Sequence, residues 1–377
     1  MKKITRFMIL AMVVVVLGGC GKENKNSTQP TPLATPTQQA VTTLPPENVK
    51  DSTSDGDPQM DNNAKLMEYY PMQADTEYEY EGKGNEFAAY NRTVDYIDTK
   101  NNIIQTRMNN GGTETVEVIQ IKDGKITVIN RVHECYYRDN LMDKPLPEKQ
   151  QEILLMEPLK KGTSWTLGDG TKRYISGTDV KVNTPSGQYI TIEVTSLDKN
   201  GDTKYYYAPK VGLVQEVYSS ENMKVSSSLS KVKTDKPYVK TIQVYYPDTK
   251  EKIHVEELSL SFKTNEATRL VLEKALRQKA LKESYLPIIS TNTKINSMYR
   301  GRNDIAYLDF SQDIIKDMNV GSGYEEKILQ CITNTVGNYY NVSKVYITVD
   351  GKLYESGHIL MQKGQTFKVN MDNVIEK

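Results

Sequence analysis

The sequence predicts an α+β protein: an export signal and a polar tether, then a mostly antiparallel β block shaped as a curved sheet or half-barrel, then a smaller block mixing strands and helices. Three observations carry this. Residues 21–65 hold almost no bulky apolar side chains, residues 66–234 alternate with a period near two between short turn signals, and residues 235–377 mix that period with helical spacing.

The chain has 377 residues, with 48 basic and 48 acidic side chains in balance and a pI of about 6.9. Phosphate binding needs clustered positive charge, so nucleic acid is not expected as a partner. A 37% hydrophobic fraction and a mean hydropathy of -0.59 are low for a chain folded from end to end. The three histidines, His133, His254 and His358, are scattered, and no pair stands at metal-ligand spacing. No Walker loop, dinucleotide fingerprint or nucleophile elbow is present, so no catalytic residue, metal or cofactor is assigned.

Residues 1–20 read as an address. Lys2, Lys3 and Arg6 precede an uncharged apolar run from Phe7 to Leu17, and Gly18-Gly19-Cys20 follows at once. The ending Leu17-Gly-Gly-Cys20 resembles a bacterial lipobox. That resemblance implies lipidation of Cys20 by diacylglycerol, with acyl chains such as palmitate holding a lipoprotein to the extracytoplasmic face of the cell membrane. The alternative is an apolar helix that ends in Gly-Gly-Cys by chance.

Residues 21–65 are Asn, Ser, Thr, Gln, Pro and Asp, as in Ser27-Thr-Gln-Pro-Thr-Pro. Such a segment buries too little apolar surface to offset its conformational entropy, so a disordered linker is expected. Its coil span is roughly 35–40 Å, which suits either a wall spacer or a solubility tail.

Residues 66–234 carry the alternating runs. Thr76-Glu-Tyr-Glu-Tyr80, Thr115-Val-Glu-Val-Ile-Gln-Ile121, Lys125-Ile-Thr-Val-Ile-Asn130, Tyr189-Ile-Thr-Ile-Glu-Val194 and Leu213-Val-Gln-Glu-Val-Tyr218 are rich in β-branched and aromatic residues. Asn109-Asn-Gly-Gly112, Lys122-Asp-Gly124 and Lys199-Asn-Gly-Asp202 suit tight hairpins that need positive φ. One short helix is expected over Glu148 to Met156, before Pro158. Trp165 is expected to anchor a core, and Gly212 to turn a hairpin after Pro209. Glu157-Pro-Leu-Lys-Lys-Gly-Thr-Ser-Trp165 with Tyr205-Tyr-Tyr-Ala-Pro209 resembles other extracytoplasmic bacterial lipoproteins, whose sheets are compared with carrier half-barrels. The 25 tyrosines against 5 phenylalanines leave sugar stacking as an alternative to half-buried core.

Residues 235–377 open with the strand Thr241-Ile-Gln-Val-Tyr-Tyr-Pro247. A helix is expected from Thr264 to about Leu281, with Ala267, Leu270, Val271 and Ala275 on one face. Strands follow at Thr293 to Met298 and Ile305 to Phe310. A second helix is expected with Ser322 as N-cap and Glu325 closing a capping box, and with Ile328, Leu329, Ile332, Val336 and Tyr339 inside. Asn341 then leads into the strand Val345-Tyr-Ile-Thr-Val349, and Asp350-Gly351 turns a hairpin.

Tyr245-Tyr-Pro247, Leu286-Pro287, Ala306-Tyr-Leu-Asp-Phe-Ser311, Gly321-Ser-Gly-Tyr-Glu325 and Val342-Ser-Lys-Val-Tyr-Ile-Thr-Val-Asp-Gly351 together resemble the GerMN domain of sporulation and spore germination. The resemblance covers about Thr241 to Lys363. It implies an α+β module related to ring-building motifs, used in extracytoplasmic assemblies, with no established catalytic residues.

Smaller groups are read plainly. Asp309 and Ser311 close a strand by side-chain to backbone bonds. His133 and Cys135 pack on one strand face rather than bind metal. Cys331 is helix core, with a disulfide to Cys135 as the alternative. Asp198 to Asp202 is a hairpin turn, not a calcium loop. The expected function is a non-enzymatic, lipid-anchored envelope module that binds a protein partner or the cell wall. Alternatives are a peptidoglycan-binding accessory of wall hydrolysis and a ligand-carrying half-barrel.

Overall fold

Strict alternation of inward and outward side chains builds the larger part of the protein. The computed structural model describes residues 58–278, 285–318, 320–372 and 374–375. The signal, Cys20, most of the tether and the helix end expected near Leu281 lie outside the described residues. The last residues assigned to the tether are instead helical, in α1 (Pro58–Met67), because Leu66 gives that turn a fully buried anchor.

Six strands follow: β1 (Glu77–Lys83), β2 (Tyr90–Asp98), β3 (Ile103–Asn109), β4 (Glu114–Lys122), β5 (Lys125–Val132) and β6 (Glu152–Met156). Six more come after them: β7 (Ser164–Thr166), β8 (Lys172–Thr184), β9 (Gly187–Asp198), β10 (Gly201–Ala208), β11 (Gly212–Ser219) and β12 (Lys224–Lys233). All twelve form one antiparallel sheet in the order β6-β5-β4-β3-β2-β1-β12-β11-β10-β9-β8-β7. The expected turns are present, with Asp123 at φ 50°, Gly124 at 68° and Gly212 at 93°. At each of these a side chain that cannot adopt positive φ would be strained.

The sheet rolls until its two edges nearly meet. Trp165 on β7 donates its indole N–H to the Ile153 carbonyl on β6 at 3.0 Å, and the Arg173 guanidinium donates to the same oxygen at 3.1 Å. Side chains thus join two edges that the backbone ladder leaves open. Inside the roll, Ile104, Ile119, Ile126, Leu155, Ile175 and Val194 share one core with Leu66 and Tyr70, so the entry segment packs against the interior.

Residues 148–156 differ from expectation. Only Glu148–Gln150 is helical, as one 3-10 turn, and Glu152–Met156 is strand β6. Pairing with β5, which sets Leu155 beside Ile126, outweighs a weak local helix preference.

The C-terminal block holds a long hairpin, β13 (Tyr238–Pro247) and β14 (Ile253–Phe262), joined by the short β20 (Val374–Ile375). A second sheet contains β15 (Ile295–Arg300), β16 (Ile305–Phe310), β17 (Lys344–Val349) and β18 (Lys352–Leu353), with β19 (Phe367–Lys368) also on β17. Strands β16 and β17 are parallel, joined through α3 (Asp313–Lys316) and α4 (Ser322–Tyr340) in a crossover of the kind parallel pairing requires. Helix α2 (Thr268–Arg277) and α4 pack into a core with both sheets.

Two helix details are corrected. Helix α2 begins at Thr268, not Thr264, because Thr264 and Asn265 are engaged elsewhere: the Asp75 amide donates to Thr264 Oγ1 at 2.7 Å and the Ile97 amide to Asn265 Oδ1 at 2.7 Å. Its buried face is Val271, Leu272, Ala275 and Leu276, while Leu270 is exposed. Helix α4 starts after Gly321, with no side-chain cap. Glu325 leaves the capping box and turns into the protein, where Tyr354 Oη donates to it at 2.8 Å.

Candidate functional site

The two blocks are joined by buried charge. Asp95 on β2 receives Arg107 at 3.1 Å and Arg138 at 3.3 Å, and all three side chains are at most 1% exposed. Arg138 also donates to the Lys263 carbonyl at 3.0 Å and the Glu266 carbonyl at 2.5 Å, and stacks 4.2 Å from the Tyr96 ring centre. Its own amide donates to Tyr339 Oη on α4 at 3.0 Å. Desolvating these ions is expensive, and their hydrogen bonds offset that cost only while the partners are present. Beside them Tyr340 donates to Asp139 at 2.9 Å, and burial raises the Asp139 pKa.

The residues singled out in the sequence fall in separate places. His133 and Cys135 lie beyond the end of β5, with Glu134 between them at φ 53°. They therefore do not share a strand face as expected: His133 is exposed and Cys135 buried. Cys135 and Cys331 are both free thiols. His254 meets Asp248 at 2.9 Å, and His358 meets Glu325 at 2.7 Å beside a cavity of about 150 Å³. Asp198 ends β9 at a hairpin, as read. Asp309 Oδ1 accepts from the Gly351 amide at 2.8 Å and from Thr348 Oγ1 at 2.6 Å, tying the end of β16 to the β17–β18 turn. Ser311 Oγ accepts from the Lys294 amide at 3.0 Å.

The feature not foreseen is a row of tyrosines. In the second sheet, Ala306, Leu308, Phe310, Val345, Ile347 and Val349 face the core, so the alternate residues face outward. Register sets Tyr299 opposite Tyr307, and Tyr307 opposite Tyr346, across three strands. The Tyr299 and Tyr307 rings stack at 5.1 Å and 8°, and Tyr346 leans on Tyr307 at 5.6 Å. Tyr299 is 45% exposed. Each of the three lies in its own short alternating run, so the row becomes visible only when strand order is known.

In the rolled sheet the carrier reading needs a sizeable apolar cavity. The space at the seam, about 550 Å³, is instead lined by Arg131, Glu152, Arg173, Lys149 and Asp169. Among the described residues no cluster suited to a metal is present, and no helix is long and apolar enough to cross a membrane.

Residues 243–355 match the family described as Germane: Sporulation and spore germination. Among solved structures, the first GerMN domain of the sporulation protein GerM from Bacillus subtilis is 20% identical, with 32% of this chain and 94% of that one covered and a TM-score of 0.26. The tandem GerMN domains of the same protein are 17% identical, with 33% of this chain covered and a TM-score of 0.25. The chain spans 45% of that tandem structure's length. No curated protein matches. The expected GerMN resemblance thus holds over this stretch: residues 243–355 are similar to the Germane family of sporulation and spore germination.

Proposed function

We propose that this is a lipid-anchored, extracytoplasmic envelope protein, without catalytic activity, whose Germane domain docks a protein partner. Cys20 carries the anchor, residues 21–57 the spacing, the rolled sheet the support, and the C-terminal block the contact. The observation that carries this reading is the tyrosine row Tyr299, Tyr307 and Tyr346 on the outward face of the Germane sheet. Tyrosine combines a large apolar face with a polar tip at little entropic cost, which suits a binding surface.

The test compares crosslinked partners of the wild-type chain with those of the triple variant Tyr299→Ser, Tyr307→Ser, Tyr346→Ser, in sporulating and vegetative membranes. Loss of a specific protein partner in the variant, at unchanged protein level, supports docking. Cosedimentation with purified peptidoglycan that the variant abolishes would replace the protein partner by the wall. Retention of lipid labelling by Cys20→Ala would remove the anchor from the proposal.

A further inference from the structure

Backbone donors and acceptors along an open sheet edge pair with any strand that reaches them, so edges are normally short, covered or capped. The C-terminal block largely follows that rule. On β15 the Ile295 amide donates to Glu273 at 2.6 Å, the Ile295 carbonyl accepts from Arg269 at 2.9 Å, and the Arg300 amide donates to Asp139 at 3.2 Å. On β13 the outward Tyr245 amide donates to Thr335 Oγ1 of α4 at 3.1 Å. Strands β18 and β19 are two residues long.

Strand β14 is the exception. It runs for 10 residues opposite β13 with no register shift and contains no proline or lysine. Alternation fixes which of its backbone groups face outward. At the hairpin end the Asp248 amide donates to the Lys252 carbonyl at 2.9 Å, while the Tyr245 amide turns away from β14. Even-numbered residues therefore exchange bonds within the hairpin, and the amides and carbonyls of odd-numbered ones point to the outer edge. Strand β20 takes that edge beside Ile253 and His254 only. Beyond it Glu257, Ser259 and Ser261 are exposed, and among the described residues none bonds to their outward amides or carbonyls.

This run is complementary to itself. Laid antiparallel on a second copy about a two-fold axis at Ser259, it sets Ser259 against Ser259 and Glu257 against Ser261 on either side. Every free amide and carbonyl of the three residues then finds a partner. No like charges face each other, as they would in a register that opposed Glu257 to Glu257. The same register sets Leu258 beside Leu260 of the second copy, on the face where both pack against the block's own core.

We propose that β14 pairs with β14 of a second copy of this chain, joining two C-terminal blocks through one continuous sheet. This edge is distinct from the tyrosine row, so its failure leaves the docking role untouched.

The test is sedimentation equilibrium of the full chain in excess detergent micelles, where a reversible dimer is expected. Ser261→Glu opposes like charges at both ends of the run and should raise the dimer dissociation constant at least tenfold. Adding Glu257→Lys to Ser261→Glu makes both contacts opposite in charge and should restore the dimer. Ser259→Cys should crosslink to itself under mild oxidation. Thr241→Cys, opposite Ser259 on β13, should stay at the wild-type background, because a whole strand separates that thiol from the interface. All four positions are exposed, so the variants should keep the wild-type circular dichroism. A monomer at every concentration overturns the proposal, as does a dimer that Ser261→Glu leaves unchanged. Protection of the Ser259 amide from exchange that arises only when another protein is added also overturns it, and gives the edge to that protein.

Discussion

Asp95 and Arg138 meet at 3.3 Å with both side chains out of water, although one lies on β2 and the other in the segment beyond β5. The same guanidinium holds the Lys263 carbonyl of the C-terminal block. The pair therefore couples two blocks that have separate cores.

Removing Arg138 leaves Asp95 with Arg107 as its one remaining ion-pair partner and strips the Lys263 and Glu266 carbonyls of their donor, at a cost of about 1–3 kcal/mol. Arg138→Ala is expected to show this in urea. Trp165 reports only the rolled sheet, whereas far-ultraviolet circular dichroism reports both blocks. The two curves should coincide in the wild type and separate in the variant.

Glu216 gives a pH signature. Burial and the nearby Glu117 raise its carboxyl from the ordinary 4.5 to about 7, against the pull of Arg173. Between those values the folded state keeps a proton that the unfolded chain releases. Stability is thus full below pH 4.5 and falls as pH rises through about 7, by on the order of 2–3 kcal/mol. In Glu216→Gln this slope should disappear, and the variant should be more stable than the wild type at pH 8. An unchanged slope of urea midpoint against pH would assign the effect to another group.

Glu325 has the opposite sign. Burial alone would raise its pKa, but hydrogen bonds from Ser356, His358 and Tyr354 outweigh it and hold the carboxyl below its ordinary value. Its contribution is present above pH 4.5 and lost as pH falls through the lowered folded value. Glu325→Gln should lower stability at pH 7 by about 1–3 kcal/mol, with the difference from wild type shrinking toward pH 3. Thermal melts across that range measure it.

Asp309→Ala should act locally. It frees the Gly351 amide and Thr348 hydroxyl from their shared acceptor, which costs about 1–3 kcal/mol. Amide exchange should speed up at Gly351 while Val345 and Ile347 stay protected. Equal acceleration along β17 would show that Asp309 supports the whole sheet.

Much of this fold is legible because strands and helices announce themselves locally. Thr115 to Ile121 and Ile328 to Val336 carry their periods within a few residues, and Asp123-Gly124 names its turn. What is hidden depends on distant partners. Glu152–Met156 is a strand because β5 offers Ile126, Thr127 and Val128 to it. Glu325 has the spacing of a capping residue, yet Tyr354 and His358, far along the chain, draw it inward. The tyrosine row is a property of strand order, which no local window contains. Cys20 is the converse case, a reading that rests on local residues alone.

The entry segment has one more consequence. Asn63 accepts from the Gly124 amide at the β4–β5 turn, and the Glu68 carbonyl accepts from Lys210 at the β10–β11 turn. The segment is thereby pinned to two separate hairpins of the roll before β1 begins. A load drawn through Pro58 reaches both hairpins together and shears packed side chains, rather than peeling β1 from its neighbours one bond at a time. The first strand is thereby shielded from any load applied through Pro58.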